Sequence, residues 1–288
     1  MAVPLRDDPG PGAWRREPST VVRPAPAAPA DPVGPFVIVA ESQVAEAPLE
    51  WEPHAHPMHE LVWVRGGTMT VRIGDRLLTV PEGRGLWLPA GVEHAGRLTA
   101  GAELSDAFFA PDRTPVAFDG PTAIAMPPLL EALLAHLADE RLGAGVRARA
   151  EAVVFDVLEP AEQQFALQLP GDPRIDPIAE ALLADAGDGR GLDDWALELG
   201  LSERTVTRAF RRATGLSFAQ WRRVLRVHLA LKLLAEGFDV ASVSEQLGYA
   251  QPSTFIEAFR RVVGATPGSF SFRSSSPHRV SGKPLHLS

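Results

Sequence analysis

Two stretches in the C-terminal half of the chain repeat one another: LGLSERTVTRAFRRATGLSFAQW at residues 199–221 and LGYAQPSTFIEAFRRVVGATPGSF at residues 247–270. Each contains AFRR followed by two residues and a glycine, and each follows a short segment with helical apolar spacing, LDDWALEL or VASVSEQL. A short helix, a glycine-containing turn and a second helix make up the helix-turn-helix unit. The repeat therefore predicts an all-α domain that contains two such units.

The first copy has residue types that suit this geometry. Gly200 stands where the first helix has to end tightly, and Ser202 can cap the second helix by accepting a backbone N–H bond. Apolar residues of the second helix recur at helical spacing and should pack against the first helix: Val206, Ala209 and Phe210. The opposite face carries side chains that can hydrogen-bond base edges in a major groove: Arg204, Thr207, Arg208 and Arg211.

The second copy follows the same plan, with Gly248 at the turn. Its predicted packing residues are Phe255, Phe259 and Val262, and the residues left facing outward are Gln251, Ser253, Thr254 and Glu257. Between the copies, residues 217–237 contain no internal glycine or proline and have apolar positions at helical spacing. At 1.5 Å per residue this segment predicts one helix roughly 30 Å long. Such a spacer suits two reading heads that enter successive major grooves, which recur about every 34 to 36 Å.

Charge is distributed unevenly along the chain. The net charge is −8, yet residues 1–173 carry 13 Lys and Arg against 24 Asp and Glu, whereas residues 174–288 carry 15 against 12. Within residues 202–234 there are eight basic residues and one acid. A charge run by itself is often only a solvated helix face. Its coincidence with the duplicated helical unit favours a surface that binds phosphates.

Composition and local patterns divide the chain further. Residues 1–32 are rich in Pro and Ala without periodicity, and they predict a disordered tail, as do residues 274–288. Short β-like runs in residues 33–120 predict a β-sandwich or a β-barrel, and two amphipathic segments in residues 121–172 predict a helical linker that sets dimerisation. Residues 173–273 form the predicted helical domain. The chain contains no cysteine, which excludes disulfides and thiolate sites.

No leader pattern begins the sequence, and no run of about 20 apolar residues follows. We therefore expect a protein that does not enter a membrane and that acts in the cytoplasm.

Residues 174–273 resemble the DNA-binding domain of the AraC/XylS family of bacterial transcription regulators. The resemblance covers about a third of the chain and is carried by the turn glycines, the FRR segments, the joint Gly215–Ser217 and the closing TPGSF at residues 266–270. It implies double-stranded DNA as a partner, RNA polymerase as a candidate partner, and a homodimer. The DNA-contacting residues that it and the helix faces predict are Ser202, Arg204, Thr207, Arg208, Arg211, Arg212, Arg222, Gln251, Ser253, Thr254, Glu257, Arg260 and Arg261.

One departure from the family lies in the second copy, where Pro252, Ile256 and Glu257 stand at positions that are often polar or basic in relatives. An acid repels phosphate unless it accepts from cytosine N4. We therefore expect the second head to bind DNA more weakly than the first.

A second motif lies in the N-terminal half, where residues 54–60 read HAHPMHE and residues 83–94 read GRGLWLPAGVEH. These stretches resemble the two signature motifs of the cupin barrel. The resemblance implies His54, His56, Glu60 and His94 as ligands of a divalent metal, with Zn, Ni, Mn and Fe all compatible with this donor set. Three tryptophans nearby suggest the apolar wall of an effector pocket: Trp51, Trp63 and Trp87.

The sequence leaves the use of this site open. The histidines can hold a metal, or they can line a pocket and hydrogen-bond to one another or to a small molecule. Regulators of the resembled family commonly carry such barrels as effector-binding domains. The competing hypothesis is a metal-dependent cupin enzyme, a dioxygenase or isomerase, that carries a DNA-binding tail. Because two DNA-reading heads give the barrel a sufficient purpose as a sensor, we favour a one-component regulator without catalytic residues.

Overall fold

A computed structural model describes residues 19–23, 38–116, 118–139 and 141–270. Both predicted tails therefore lie almost wholly outside the described residues. The exception is strand β1 (Val21–Arg23), which pairs in parallel with β3 (Leu49–His54). These three residues correct the expectation that the whole of residues 1–32 is disordered.

The β-rich half consists of two sheets that share one core. Sheet I has the order β1, β3, β8 (His94–Leu98), β5 (Thr68–Ile73), β6 (Arg76–Pro81) and β11 (Phe165–Gln168). Sheet II has the order β10 (Thr122–Ala125), β7 (Arg84–Leu88), β4 (His59–Arg65), β9 (Glu103–Phe109) and β2 (Ile38–Val44). The cupin resemblance implied a closed barrel, but the strands of the described residues form these two separate sheets, as in the sandwich that the strand pattern also allowed.

Alternation along the strands decides which core each residue joins. In β4, Val62 and Val64 join the cluster between the sheets, together with Val71 and Leu98 of sheet I. Leu61 of the same strand instead joins a cluster on the outer face of sheet II. That outer face is covered by helices α1 (Pro128–Leu137) and α2 (Ala144–Val157). Both helices were predicted, and they close the second hydrophobic core of the N-terminal half.

The C-terminal half is helical, as predicted. Its helices are α3 (Asp176–Ala184), α4 (Leu192–Glu198), α5 (Glu203–Thr214), α6 (Phe218–Ala235), α7 (Val240–Gln246) and α8 (Pro252–Val263). Ser202 caps α5 by accepting from the backbone of Thr205 at 3.2 Å. Gly215 and Gly264 end α5 and α8 with φ angles of 75° and 77°, a left-handed conformation that glycine adopts without a steric penalty. Helix α6 is the long helix predicted between the two copies.

Within the described residues, no helix is both long and apolar enough to cross a membrane.

Helix α6 packs directly on sheet I. The indole Nε1 of Trp221 donates to the carbonyl of Gln168 at 2.7 Å, and the Thr79 hydroxyl lies 2.6 Å from Nδ1 of His228. Both contacts are buried among apolar side chains, because Leu167 of β11 belongs to the same core cluster as Trp221. Sheet I and the helical half therefore share a core, although the sequence predicted a breaker segment between them.

The buried imidazole at this junction should make the stability of the protein depend on pH. Burial, partly offset by the carbonyl of Ala166, lowers the pKa of His228 from 6.5 to about 4. Between these values the unfolded chain binds a proton that the folded chain does not, so stability is present at neutral pH and is lost as the pH falls.

We expect the free energy of unfolding to decrease by about 2 kcal/mol from pH 7 to pH 5 through this residue alone. Urea denaturation at both pH values measures the change. The variant His228→Leu should show a smaller decrease, whereas His136→Leu, which changes an exposed histidine of α1, should behave as the wild type. Equal pH dependence in all three proteins would contradict the assignment.

Candidate metal centre and nucleic-acid interface

Three histidines meet at one end of sheet I. His54 ends β3 and pairs with His94, the first residue of β8. The register between these strands shifts after Trp51, and this irregularity brings the imidazole of His54 beside that of His94, with ring centroids 4.4 Å apart. A β-bulge re-aims side chains in this way. Simple alternation from Trp51 would have placed His54 on the opposite face.

His56 lies beyond the end of β3, in the segment that leads to β4. The backbone N–H of Gly91 donates to the carbonyl of His56 at 2.8 Å and holds this segment in place. The ring of His56 lies 4.9 Å from that of His54 and 5.4 Å from that of His94. Strand alternation therefore does not place His56, because a loop contact holds it beside the other two rings.

Hydrogen bonds to the backbone fix the tautomers of two of these rings. Nδ1 of His54 lies 2.6 Å from the carbonyl of Glu52, and Nδ1 of His94 lies 2.9 Å from the carbonyl of Val92. Because a carbonyl only accepts, Nδ1 has to carry the proton in both rings. The lone pair of each ring is then on Nε2, as in histidines that bind metals.

Glu60 brings a carboxylate from sheet II to the three rings. Its Oε2 lies 3.3 Å from Nε2 of His94 and 3.6 Å from Nε2 of His56. Both Glu60 Oε2 and His56 Nε2 are buried without a hydrogen-bond partner. His54, His56 and His94 each offer one ligand nitrogen, and these three atoms all lie within 4.8 Å of one another. A bound cation would satisfy these polar atoms, so the residues fit a divalent metal.

The environment shifts the pKa values of these groups in different directions. Burial lowers the pKa of His56, and the charges of His54 and His94 act in the same direction against that of Glu60. Burial also opposes the charged form of His94, but the close contact of its Nε2 with the Glu60 carboxylate, at 3.3 Å, outweighs burial and raises its pKa. We therefore assign the closer ion pair with Glu60 to His94.

Asp106 is a member of this site that sequence reasoning missed. It lies on β9 opposite Val62, two residues along β4 from Glu60 and therefore on the same face of the sheet, and it is buried. Burial, with the charge of Glu60 as the next cause, raises the pKa of Asp106 well above its ordinary value. A carboxyl kept neutral in this way can donate to the Glu60 carboxylate and hold it in position. The available signal was an acid inside the apolar run LSDAFF.

The tryptophans do not form one wall. Trp51 joins the core between the sheets, as the predicted pocket requires. Trp63 and Trp87 belong instead to the cluster beneath α1 and α2, so their assignment to an effector pocket between the sheets is wrong. Strand alternation is the sequence signal for this, because Trp63 comes three positions after Glu60 on β4 and therefore points to the opposite face of the sheet. His59 is similarly outside the cluster: its Nδ1 accepts from the backbone of Ala90 at 3.0 Å.

The helical half presents two exposed polar faces. On α5, Val206, Ala209 and Phe210 are buried as predicted. On α8, Phe255 and Phe259 are buried as predicted, Val262 is half-buried and packs against the same cluster, and Val263 is buried in addition. Most of the predicted DNA-contacting side chains are solvent-exposed on or beside these helices: Ser202, Arg204, Arg208, Arg211, Arg212, Gln251, Ser253, Thr254, Glu257, Arg260 and Arg261. Thr207 is half-buried on α5.

Two predicted contacts are modified by their neighbours. Glu257 pairs with Arg261 one turn later on α8, with 2.9 Å between Oε1 and Nη2, so its charge is partly compensated. Arg222 is half-buried and donates to the carbonyls of Arg190, at 2.8 Å, and Asp188. Its guanidinium serves the fold, which corrects the expectation that Arg222 is a free phosphate contact.

These features define a class of protein: a DNA-binding regulator whose helical C-terminal half is joined to a β-rich domain with a histidine-lined site. Comparison with known proteins agrees with this class. The family model described as an AraC-like ligand binding domain matches residues 46–158, and that described as a helix-turn-helix domain matches residues 195–273.

Among curated relatives, the HTH-type transcriptional regulator NimR of Escherichia coli strain K12 is 32% identical over 238 residues, covering 80% of this chain and 86% of the relative. The HTH-type transcriptional regulator RipA of Corynebacterium glutamicum is 30% identical over 226 residues, covering 73% of this chain and 61% of the relative. The crystal structure of ToxT from Vibrio cholerae O395 aligns with 82% of this chain and 96% of that protein, at 11% identity and a TM-score of 0.34.

The chain therefore belongs to the AraC family of helix-turn-helix transcriptional regulators, with an N-terminal ligand-binding domain and a C-terminal DNA-binding domain. This confirms the family that the sequence resembles. It also decides for a regulator and against the cupin enzyme.

Proposed function

We propose that this protein is a one-component regulator in which both helix pairs, α4 with α5 and α7 with α8, are DNA-reading heads. The observation that carries the proposal is the pair of exposed polar faces on α5 and α8, held by one continuous helix. In helix-turn-helix proteins the second helix of each unit lies in the major groove. Helix α5 would read bases with Arg204, Thr207 and Arg208.

The second head has a different chemistry. Its exposed face presents Gln251, Ser253 and Thr254, which can hydrogen-bond to bases or phosphates, beside the Glu257–Arg261 ion pair. A paired acid repels phosphate less than a lone one, but it also adds no attraction. We therefore propose that the first head supplies most of the electrostatic affinity and that the second adds specificity.

Arg208 tests the role of the first head. Replacing it with alanine should cost about 1 to 3 kcal/mol in binding to the specific operator, because a bidentate contact to a base edge is lost. Fluorescence anisotropy against an operator recovered by genome-wide footprinting, and against an unrelated duplex, measures both affinities. Arg149→Ala removes an equal charge from the exposed surface of α2 and should change neither. An equal loss on both duplexes for Arg208→Ala would mean that Arg208 contacts only phosphate.

We propose that the histidine site of the N-terminal domain binds a divalent metal. His54, His56, His94 and Glu60 would hold the ion, which supplies a positive charge that neutralises the buried carboxylate and satisfies the lone pairs. Zn, Ni, Mn and Fe remain compatible with three imidazoles and a carboxylate. The donors come from both sheets, because Glu60 lies on β4 of sheet II. A bound metal ion would therefore link the two sheets at this end, whether or not an organic effector also binds beside the ion.

The response to occupancy would pass through sheet I to α6. Helices α1 and α2 lie away from this route, because they cover the outer face of sheet II. Helix α6 packs against β5, β6 and β11 instead. The strand that carries His94 is the hydrogen-bonded neighbour of β5, so one sheet connects the site with the helix that joins both heads. A ligand can shift such an arrangement only by binding two states with different affinity.

His56→Ala and Thr79→Val separate binding from response. We expect elemental analysis of dialysed His56→Ala to show that the metal is lost. Without metal, the operator affinity of this variant should stay within about threefold of wild type. Allosteric coupling would change this affinity by about 5-fold or more. Thr79→Val should keep the metal. When Zn²⁺ is added after chelation, however, the operator affinity of this variant should change less than that of the wild type. The hydroxyl to Nδ1 bond is missing in that variant.

Two controls keep these outcomes distinct. Thr79→Ser preserves the hydroxyl and should respond to Zn²⁺ as the wild type does, and His136→Ala should keep its metal. Metal retained by His56→Ala would refute the proposed ligand set. An undiminished Zn²⁺ response in Thr79→Val would refute the route through α6.

We also propose that the protein forms a homodimer through α1 and α2. Their outer surface exposes Leu129, Val146 and Val153, at 54%, 41% and 38% of their full accessible area. Apolar side chains on neighbouring helices suit an interface with a second copy. Leu129→Asp should therefore shift the chain from dimer to monomer in sedimentation velocity, whereas Ala148→Asp, exposed on the side of α2 away from Val146 and Val153, should shift it less. A wild-type chain that sediments as a monomer at all concentrations would contradict this interface.

A further inference from the structure

The segment at residues 185–191, between α3 and α4, touches both heads. We call it the bridging loop. Three of its backbone carbonyls accept hydrogen bonds from arginines of α6: Arg226 Nε donates to Ala186 at 3.0 Å, and Arg222 donates to Asp188 and Arg190. Burial lowers the pKa of both arginines. From composition alone, both arginines would be counted among the charges available to bind DNA. In the structure, their guanidinium groups hold the loop in place.

The bridging loop is tied to the first head by Arg190. Its guanidinium carbon lies 3.6 Å from the centroid of the Trp195 ring on α4, and it pairs with Glu198 near the end of the same helix. Trp195 is almost fully buried in the core of the first head. The loop therefore moves with α4.

The same loop meets the turn of the second head at closer range. A Cβ added to Gly187 would lie 2.9 Å from the carbonyl oxygen of Gln246, and one added to Gly248 would lie 2.7 Å from the carbonyl oxygen of Gly187. Backbone therefore packs on backbone here, with no room for a side chain. Arg226 adds a second contact, because its guanidinium lies 5.1 Å from the ring of Tyr249.

A groove of about 660 Å³ separates the heads on this side, and residues of α6 and α8 line it, among them Arg223 and Arg261. Gly189 and Gly191 of the bridging loop also line this groove. Rotation of one head relative to the other would have to break the carbonyl bonds or open the Gly187 contact.

We propose that the bridging loop locks the two heads into one rigid reader, with Gly187 and Arg226 as positioning residues that set the spacing of the operator. The inference rests on the proposed DNA reading by both heads. Each inserted base pair rotates the second half-element by about 35° and moves it by about 3.4 Å. A rigid reader cannot follow such a displacement, whereas two heads on a flexible joint can.

The test uses the full chain and a series of duplexes with zero, one or two base pairs inserted between the two half-elements of its footprinted operator. For wild type, two inserted base pairs should reduce affinity on the order of 100-fold, because simultaneous engagement of two linked sites is lost. Gly187→Ala should bind the uninterrupted operator more weakly and lose less than about fivefold on insertion. Gly189→Ala lies in the same loop, where an added Cβ meets nothing within 4 Å, and should match wild type across the series.

Arg226→Gln and Arg223→Gln form a second matched pair, since both remove one charge from α6. Arg223→Gln should lower affinity equally at every spacing, whereas Arg226→Gln should also flatten the dependence on spacing. Circular dichroism melting of each variant identifies any that fail to fold. Insertions tolerated by wild type would overturn the proposal by themselves, as would a folded Gly187→Ala with the wild-type profile. Absence of any specific duplex binding by wild type would instead refute the proposed function.

Discussion

The organisation of the protein depends on helix α6, because a single helix has to satisfy three neighbours at once. One side packs on sheet I through Trp221 and His228. The opposite side holds the bridging loop through Arg222 and Arg226. Its two ends complete the cores of the two heads. Because α6 is one continuous helix of 18 residues, it contacts sheet I and the helices on both sides of it in the chain.

Polar groups buried along this helix set its register. His228 is almost fully buried, and its nitrogens meet the hydroxyl of Thr79 and the carbonyl of Ala166. A sliding or rotation of α6 would leave these groups unpaired in an apolar environment, which costs more than the bonds themselves contribute. Apolar contacts alone tolerate small shifts, whereas a satisfied buried polar pair specifies one arrangement. The contact between α6 and sheet I therefore both stabilises their association and specifies one orientation of the helix.

The histidine site shows the same principle at the far end of sheet I. Glu60 is buried with one oxygen unpartnered, and Asp106 beside it has a raised pKa, so the charge of this corner is incompletely compensated by protein groups. Since the donors come from both sheets, a cation there would stabilise one relative position of the sheets. The strand neighbours β8, β5 and β6 then connect that position with α6.

The sequence by itself determined the elements and the family. Helical spacing and turn glycines located α4 to α8, and the buried faces of α5 and α8 followed from spacing except at Val263. The motifs HAHPMHE and GRGLWLPAGVEH contain the residues that meet at the histidine site, and such short-range patterns can be recognised in the sequence. Only the tertiary structure decided what lies far apart in sequence: the bulge that re-aims His54, the arrival of Asp106, the separation of Trp63 and Trp87 from the inner core, and the packing of α6 on sheet I. Periodicity reports which face of an element is apolar, but it cannot report which partner covers that face or which carbonyl an arginine finds.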